Sequence, residues 1–212
     1  CISRPYLNVQ SRVIKTGGEV KLSESHPTVA FRYVARNDDT RTMIATVLPE
    51  QGFMYCAGYI HAVAHKEGTS GTELLALLSY VNSLTCDWWL RRIVDRHVNA
   101  PMIDSLPLPD WDTEEINHAA KLSAELVRRN GTEVLPGGKE IPSDTGVEHV
   151  DSEEIQARIE SVVARGFGLD EDDIDTVLSD FSQKACSDDF RDRIRELVVG
   201  DTMMTTAEQD DD

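Results

Sequence analysis

The sequence lacks the features that mark secreted, disulfide-bonded and membrane proteins. No signal peptide precedes its four cysteines, which lie far apart at Cys1, Cys56, Cys86 and Cys186. This spacing gives no sign of a disulfide framework. No apolar run approaches the roughly 20 residues that a helix needs to span a bilayer. We therefore expect a protein of the reducing cytoplasm that has no membrane partner.

Motifs for catalysis and for cofactors are also missing. No glycine-rich loop follows a strand in the way that cradles a phosphate. Cys56, His61 and His65 have a spacing that suggests zinc, but the Cys-x-x-Cys knuckle of structural zinc sites is absent. A small core cysteine and two loop histidines are the favoured interpretation. We predict no catalytic residue, no cofactor-binding residue and no metal ligand in this chain.

Charge divides the chain into two halves. Residues 1–110 hold 11 Lys+Arg and 11 Asp+Glu, whereas residues 111–212 hold 10 and 27, which accounts for the net charge of −17. The first half can approach a polyanion, but phosphates would repel the second half over about 8 Å at physiological salt. The 21 Asp against 6 Lys fit a salt-loaded, halophilic cytoplasm and an ordinary acidic tail equally well.

Strand patterns come early in the chain and a long helix follows them. Residues 1–27 are polar and carry turn signals. An Asn37-Asp38-Asp39 turn separates the first two of three segments rich in β-branched and aromatic residues. These predicted strands are Thr28 to Ala35, Thr42 to Leu48 and Phe53 to Ala64. Apolar residues at helical spacing predict one helix from Thr72 to Val94.

Capping residues predict four helices in the second half. Asp112 with Glu115 forms a capping-box pattern, which begins a helix that runs to about Arg129. The acidic residues that begin the other helices suit a helix N-terminus. The first of these helices runs from Asp151 to about Gly166, the second begins at Asp170, and the third runs from Asp188 to Gly200.

Three segments resemble one family of DNA-modifying enzymes. Residues 82–109, NSLTCDWWLRRIVDRHVNAPMIDSLPLP, combine Asn-Ser, Asp-aromatic, an Arg pair, His-x-Asn and Leu-Pro-x-Pro in that order. Residues 31–49, FRYVARNDDTRTMIATVLP, and residues 159–181, IESVVARGFGLDEDDIDTVLSDF, extend the match. Together they resemble the C-terminal target-recognition region of large adenine-specific DNA methyltransferases, namely the type IIG restriction-modification enzymes and their phage-defence relatives of the PglX type. The resemblance covers most of residues 29–182.

The resemblance implies an α+β fold in which a mixed α/β target-recognition domain is followed by a largely α-helical acidic C-terminal region. The expected parts are the target-recognition domain at 1–110, a bracing helix at 111–130, a linker or exposed loop at 131–150, an acidic helical region at 151–200 and a disordered tail at 201–212. Gly, Pro and charged residues without periodicity favour the linker, and a polar acidic composition favours the disordered tail.

The resemblance also places the chemistry outside this chain. The sequence begins at Cys1 rather than at Met and in the middle of a pattern, which predicts a C-terminal piece of a longer protein. The family's S-adenosylmethionine site and its Asn-Pro-Pro-Tyr or Asp-Pro-Pro-Tyr motif are expected upstream. We therefore expect this chain alone neither to methylate nor to cleave DNA, and S-adenosylmethionine to bind only in the upstream domain.

Two clusters of basic and amide side chains are the candidate DNA contacts. Arg recognises guanine bidentately and Asn recognises adenine, because their planar forks match base edges in the major groove. The candidates are Arg32, Arg36, Arg41, Arg91, Arg92, Arg96, His97 and Asn99. Arginines at a helix end also complement the helix dipole, and Asp87 could pair with Arg91 one turn later. Of two adjacent tryptophans, Trp88 continues the apolar stripe and Trp89 is the surface candidate.

The leading hypothesis is therefore a DNA target-recognition portion that positions double-stranded DNA for an upstream methyltransferase domain. It predicts that the arginines of the first half line one concave groove. An acidic protein-interaction or DNA-mimic module, which would bind other subunits of a defence complex, is the alternative. It predicts scattered arginines and an exposed apolar patch among the acidic helices. A type I specificity-subunit-like module is a third possibility, although the internal repeat typical of that family is absent.

Overall fold

The computed structural model describes residues 9–13, 28–47, 57–62, 71–135 and 139–209, and the α+β fold class is confirmed. Helices α1 to α7 span Gly71–Asn82, Leu84–Arg91, Ala100–Asp104, Thr113–Arg129, Ser152–Gly166, Glu171–Ser179 and Asp188–Gln209. Strands β1 to β6 span Val9–Val13, Thr28–Arg32, Ala45–Val47, Ala57–Ala62, Val134–Leu135 and Lys139–Glu140. In the part of the chain with described structure, no helix is both long and apolar enough to cross a membrane.

The first four strands form an antiparallel sheet in the order β1-β4-β2-β3. The three predicted strands are confirmed, although each is shorter than its predicted span. Ala30 in the central strand β2 lies opposite Thr46 on one side and Tyr59 on the other. Strand β1 was missed, because its five residues, VQSRV, are a short polar-apolar alternation inside a polar segment.

The single helix predicted from Thr72 to Val94 is wrong, because the chain breaks it at Ser83. This residue has extended backbone angles (φ −71°, ψ 157°), and its hydroxyl accepts a hydrogen bond from the backbone N–H of Cys86 as the cap of α2. Serine competes with the helix in this way because its short side chain bonds to nearby backbone groups. The apolar spacing continues across the break, which is why periodicity alone did not reveal it.

The predicted capping residues are confirmed for three helices. Asp112, Asp151 and Asp170 each accept a hydrogen bond from the backbone N–H three residues later, at the N-termini of α4, α5 and α6. The helix predicted to end at Gly200 instead continues as α7 to Gln209, where a disordered tail was expected. Gly200 is not among the positive-φ glycines of the chain. It therefore lowers helix stability by about 1 kcal/mol without ending the helix.

Residues 131–150 differ from the exposed linker that was predicted there. Strands β5 and β6 form a short hairpin. The last residue of β5 and two apolar residues after β6 are buried in the main core. These residues, Leu135, Ile141 and Val147, are spaced at intervals of six. The residues between them are Gly, Pro, polar or charged, so the sequence pattern did not distinguish a packed segment from a loop.

One hydrophobic core crosses the predicted boundary at residue 110. It contains Phe31 of β2, Leu75 of α1, Leu122 of α4 and Ile155 of α5. The opposite side of α5 joins a second cluster with α6 and α7. Glu154 of α5 accepts hydrogen bonds from Arg193 of α7 at 2.7 and 2.9 Å. The helices after residue 150 are thus packed against the sheet-bearing part rather than separate from it.

Glycine is required at position 166, where the segment before α4 crosses the end of α5. The Gly166 carbonyl accepts a 2.7 Å hydrogen bond from Asp110 N–H. The Trp111 indole donates to the Val162 carbonyl at 2.9 Å. A Cβ at Gly166 would lie within 3.0 Å of Trp111 and Pro109. No ordinary side chain fits without a shift of the backbone.

We predict that Gly166→Ala lowers the free energy of unfolding by about 1–3 kcal/mol, because overpacking displaces the Trp111 segment. Chemical denaturation monitored by tryptophan fluorescence measures the change. Gly200→Ala is the matched control, since a Cβ there meets nothing within 4 Å and alanine favours the helix. Equal stability of the two variants would contradict this packing.

Candidate nucleic-acid interface

A short two-stranded ribbon, defined as residues 33–36 paired with residues 95–98, carries three exposed members of the predicted set of DNA contacts. The Ala35 N–H donates to the Arg96 carbonyl at 3.2 Å, and the Val98 N–H donates to the Tyr33 carbonyl at 2.9 Å. Val34 lies directly opposite His97. The His-x-Asn element of the sequence begins in this segment, which the structure pairs with the extension of β2.

The ribbon exposes three of the candidate side chains. Arg36, Arg96 and His97 are all exposed. Within the described residues, neither guanidinium forms an ion pair or a hydrogen bond. The His97 ring lies 4.8 Å from the Tyr33 ring, centroid to centroid. Val34, 55% exposed, adds an apolar surface opposite His97. The ribbon therefore offers cations, an imidazole and a methyl-bearing surface to a partner.

Asp87 of α2 is the centre of an internal network that uses two of the other candidates. Its side chain is 0% exposed, and its carboxylate accepts from the backbone N–H groups of Thr42 and Met43 at 2.9 to 3.3 Å. Arg41 donates to it through Nε at 2.8 Å, and Arg91 does so at 2.9 Å. The i,i+4 pair of Asp87 with Arg91 expected from the sequence is confirmed.

Arg32, Arg41 and Arg91 also donate to backbone carbonyls. Arg91 binds the carbonyls of Asn37, Asp39 and Thr40 at 3.1, 2.6 and 2.8 Å. Arg41 Nη2 binds two carbonyls where α1 meets α2. Arg32 Nη2 binds those of residues 41 and 42, as well as the Asp39 carboxylate at 3.1 Å.

These three arginines therefore hold the fold together. The basic groove that the sequence predicted from the whole set is not formed by them.

Arg92 and Asn99 also have structural partners. Arg92 lies at the C-terminus of α2, where it bonds the exposed Asp180 at 2.8 Å and stacks 3.3 Å above the Trp88 ring. The Asn99 side chain caps α3 by accepting from the Met102 N–H at 3.1 Å. Asparagine fills this role because its oxygen replaces the missing helical acceptor. Of these two residues, only Arg92 offers a charge at the surface.

The two tryptophans divide as the sequence predicted. Trp88 packs against the second cluster, whereas Trp89 is 41% exposed. Ile93, one turn later, is also exposed. The described side chains of α5, α6 and α7 include no exposed large apolar residue. The apolar patch that the interaction hypothesis placed among the acidic helices is therefore not seen in the described residues.

Asn82 and Glu160 are structural residues that the sequence interpretation overlooked. The Asn82 amide pairs with the edge of β3, where it accepts from the Ala45 N–H at 2.8 Å and donates to the Ala45 carbonyl at 2.9 Å. Glu160 of α5 is buried and accepts from the Leu84 N–H at 2.7 Å. The sequence did contain a signal for the burial of Glu160: it lies three residues after Ala157, on an apolar face of α5.

A cleft of about 360 Å³ opens where β3 meets α1, α4 and α5, and Arg41, Asn82 and Glu160 line it. Each of the three is engaged in the internal bonds given above. Burial raises the pKa of Glu160 to about 7, against the opposing effects of Arg41 and of the N–H groups that begin α2. We therefore assign the polar groups of this cleft to the stability of the α1–α2 junction.

Metal ligation finds no support in the described residues. No group of three His, Cys, Asp or Glu side chains among them is placed to hold a metal ion. Cys56 and His65 of the zinc-like spacing lie outside the described residues, as does the side chain of His61.

Comparison with protein-family models, with curated proteins and with solved structures finds no match to this chain.

We predict that Asp87→Asn lowers the free energy of unfolding by about 3 kcal/mol, because it leaves two partly buried guanidinium groups without their shared, fully buried anion. Thermal and urea denaturation measure the loss. Asp180→Asn is the matched control: Asp180 pairs with the neighbouring Arg92 but is 43% exposed, so the change should be below about 1 kcal/mol. A small effect of Asp87→Asn would contradict the central role of this carboxylate.

We predict that Glu160 makes stability fall as the pH rises. The pKa in the folded protein, about 7, lies above the ordinary value of 4.5, so the folded state binds the proton more tightly. Its stabilising effect is complete below pH 4.5 and is lost as the pH rises through 7.

Glu160→Gln keeps an acceptor for Leu84 and removes this titration. The difference in unfolding free energy between wild type and variant should change by about 3 kcal/mol between pH 4.5 and 8. Urea denaturation across that range tests this. A difference independent of pH would show that burial does not perturb this carboxyl.

Proposed function

We propose that this chain is the DNA target-recognition portion of a site-specific adenine DNA methyltransferase of a restriction-modification or phage-defence system. It would position double-stranded DNA for an S-adenosylmethionine-dependent catalytic domain that lies outside this chain. The observation that carries the proposal is the ribbon, where two distant segments pair and leave Arg36, Arg96 and His97 exposed on neighbouring strands. Every other predicted arginine is engaged by an acidic or backbone partner within the described structure.

The chemistry of the ribbon suits a duplex. B-DNA's major groove admits a two-stranded β-ribbon, and Arg and Lys contacts to phosphate supply sequence-independent affinity. The exposed Val34 methyl groups could contact a thymine methyl. The resemblance of residues 31–49 and 82–109 to the methyltransferase family supports the same assignment, because both strands of the ribbon lie inside these two segments.

A protein-interaction module is the second candidate function. The exposed Trp89 and Ile93 favour it, since large apolar side chains one turn apart are typical of docking surfaces. The acidic second half would then serve to exclude nucleic acid. The two functions differ in what the ribbon cations do.

We predict that the double variant Arg36→Ala/Arg96→Ala binds a duplex at least about tenfold more weakly than wild type at 0.1 M salt. The plot of log affinity against log salt should flatten by about 1 for each of the two arginines that contacts a phosphate, because fewer counterions are then released on binding. Fluorescence anisotropy with a labelled duplex measures both. Both side chains are exposed and form no hydrogen bond to described residues, so the fold should be retained.

Lys121→Ala/Lys184→Ala is the control, since it removes two exposed positive charges from the second half. It should leave the affinity within about twofold of wild type. If both double variants bind DNA as tightly as wild type, the ribbon is not a DNA interface and the protein-interaction function is favoured.

A further inference from the structure

The turn that leads out of the ribbon, residues 36–42, is held from the inside to an unusual extent. We call it the clamped turn. Side chains of Arg32, Arg91 and Thr42 bind six of its seven backbone carbonyls. The carbonyls belong to Arg36, Asn37, Asp39, Thr40, Arg41 and Thr42.

Its backbone N–H groups are held as well. The Asp39 carboxylate accepts from the Arg36 N–H at 3.0 Å, and Asp87 accepts from the Thr42 N–H at 2.9 Å. The Asp39 N–H completes a β-turn by donating to the Arg36 carbonyl at 3.3 Å. The first end of the turn is thus bonded within the turn itself, while its middle and its far end are bonded to α2 and β2. This arrangement favours one backbone conformation before any partner binds.

The three side chains at the tip of the clamped turn do not take part in holding it, which indicates a different role for them. Arg36, Asn37 and Asp38 are exposed, and none of their side chains forms a hydrogen bond to a described residue. The residues below the tip are committed to the clamp. The turn is therefore a rigid support whose tip carries three consecutive polar side chains without a partner among the described residues. Binding residues are commonly found on loops of this kind.

The three tip side chains form a set suited to base edges. A guanidinium can donate two hydrogen bonds to guanine O6 and N7, and an amide can pair with adenine N6 and N7. A carboxylate can accept from cytosine N4. A DNA phosphate would repel the carboxylate of Asp38. The presence of Asp38 beside Arg36 therefore favours contact with bases over contact with the DNA backbone. Rigid presentation lowers the entropy cost of such geometrically demanding bonds.

We propose that the tip of the clamped turn, Arg36-Asn37-Asp38, reads base edges in the major groove, while Arg96 of the adjacent ribbon strand holds a phosphate. This inference rests on the proposed DNA-binding function and assigns its sequence specificity. Arg32, Arg41, Asp87 and Arg91 act as positioning residues that fix the turn without contacting DNA.

The experiment separates sequence preference from total affinity. Wild type, Asn37→Ala and Arg36→Lys are used to select duplexes from a random-sequence pool, and the selected pools are sequenced. Arg36→Lys keeps the charge but loses the bidentate fork. Affinity for one fixed random duplex and its salt dependence are measured in parallel. Asn130→Ala, at an exposed asparagine after α4, is the matched control for the amide.

We expect both tip variants to keep the salt dependence of wild-type binding to the fixed duplex, because neither substitution removes a charge. Each should relax the preference at one base position by about tenfold, the discrimination that one bidentate pair supplies. Asn130→Ala should select the wild-type sequence. Identical thermal unfolding of all variants confirms that the clamp is intact.

Failure of this inference is distinguishable from failure of the proposed function. If DNA binding depends on Arg96 but both tip variants select the same sequence as wild type, or if wild type shows no preference, the base-reading role is overturned alone. If wild type does not bind duplex DNA, or binds it equally well without Arg36 and Arg96, the proposed function is overturned and this inference with it.

Discussion

The buried carboxylate of Asp87 joins two parts of the chain that are more than 40 residues apart in sequence. A carboxylate removed from water is unstable unless its oxygens are bonded and its charge is opposed. Here the N–H groups of Thr42 and Met43 meet the first need, and Arg41 and Arg91 meet the second. The same arginines then reach the carbonyls of the clamped turn and of the α1–α2 junction. The clamped turn, the α1–α2 junction and the neighbouring edge of the sheet thus all depend on the charge of the Asp87 carboxylate.

This arrangement changes the interpretation of the motif on which the proposed likeness to the methyltransferase family rests. Asn82, Ser83, Asp87 and Arg91 fall in its Asn-Ser, Asp-aromatic and Arg elements, and all four are engaged inside the molecule. The resemblance is therefore carried by residues that build a support. Side chains free for a partner lie beside the motif's structural positions, on the ribbon and at the tip of the clamped turn.

The charge asymmetry of the sequence also has a structural counterpart. Much of the acidity of the second half lies in helix caps and in surface pairs such as Glu154 with Arg193. Only Glu125 and Glu160 are buried there among the described acidic residues. Glu125 is balanced by Arg128 and Arg129. Glu160 instead bonds the start of α2 and faces Arg41, so the acidic half stabilises the junction on which the clamped turn depends.

The sequence by itself determined the local features: three strands, the turn at residues 37–39, the caps at Asp112, Asp151 and Asp170, and the core and surface roles of the tryptophans. These follow from periodicity and from hydrogen bonds between near neighbours, which need no knowledge of the rest of the chain. Only the tertiary structure decided which arginines have no partner among the residues that the structure describes. Arg36 and Arg91 look alike in sequence, but a guanidinium becomes a structural group when distant carbonyls and a buried carboxylate surround it. That surrounding, like the break at Ser83 and the burial of Glu160, is made by packing between remote segments.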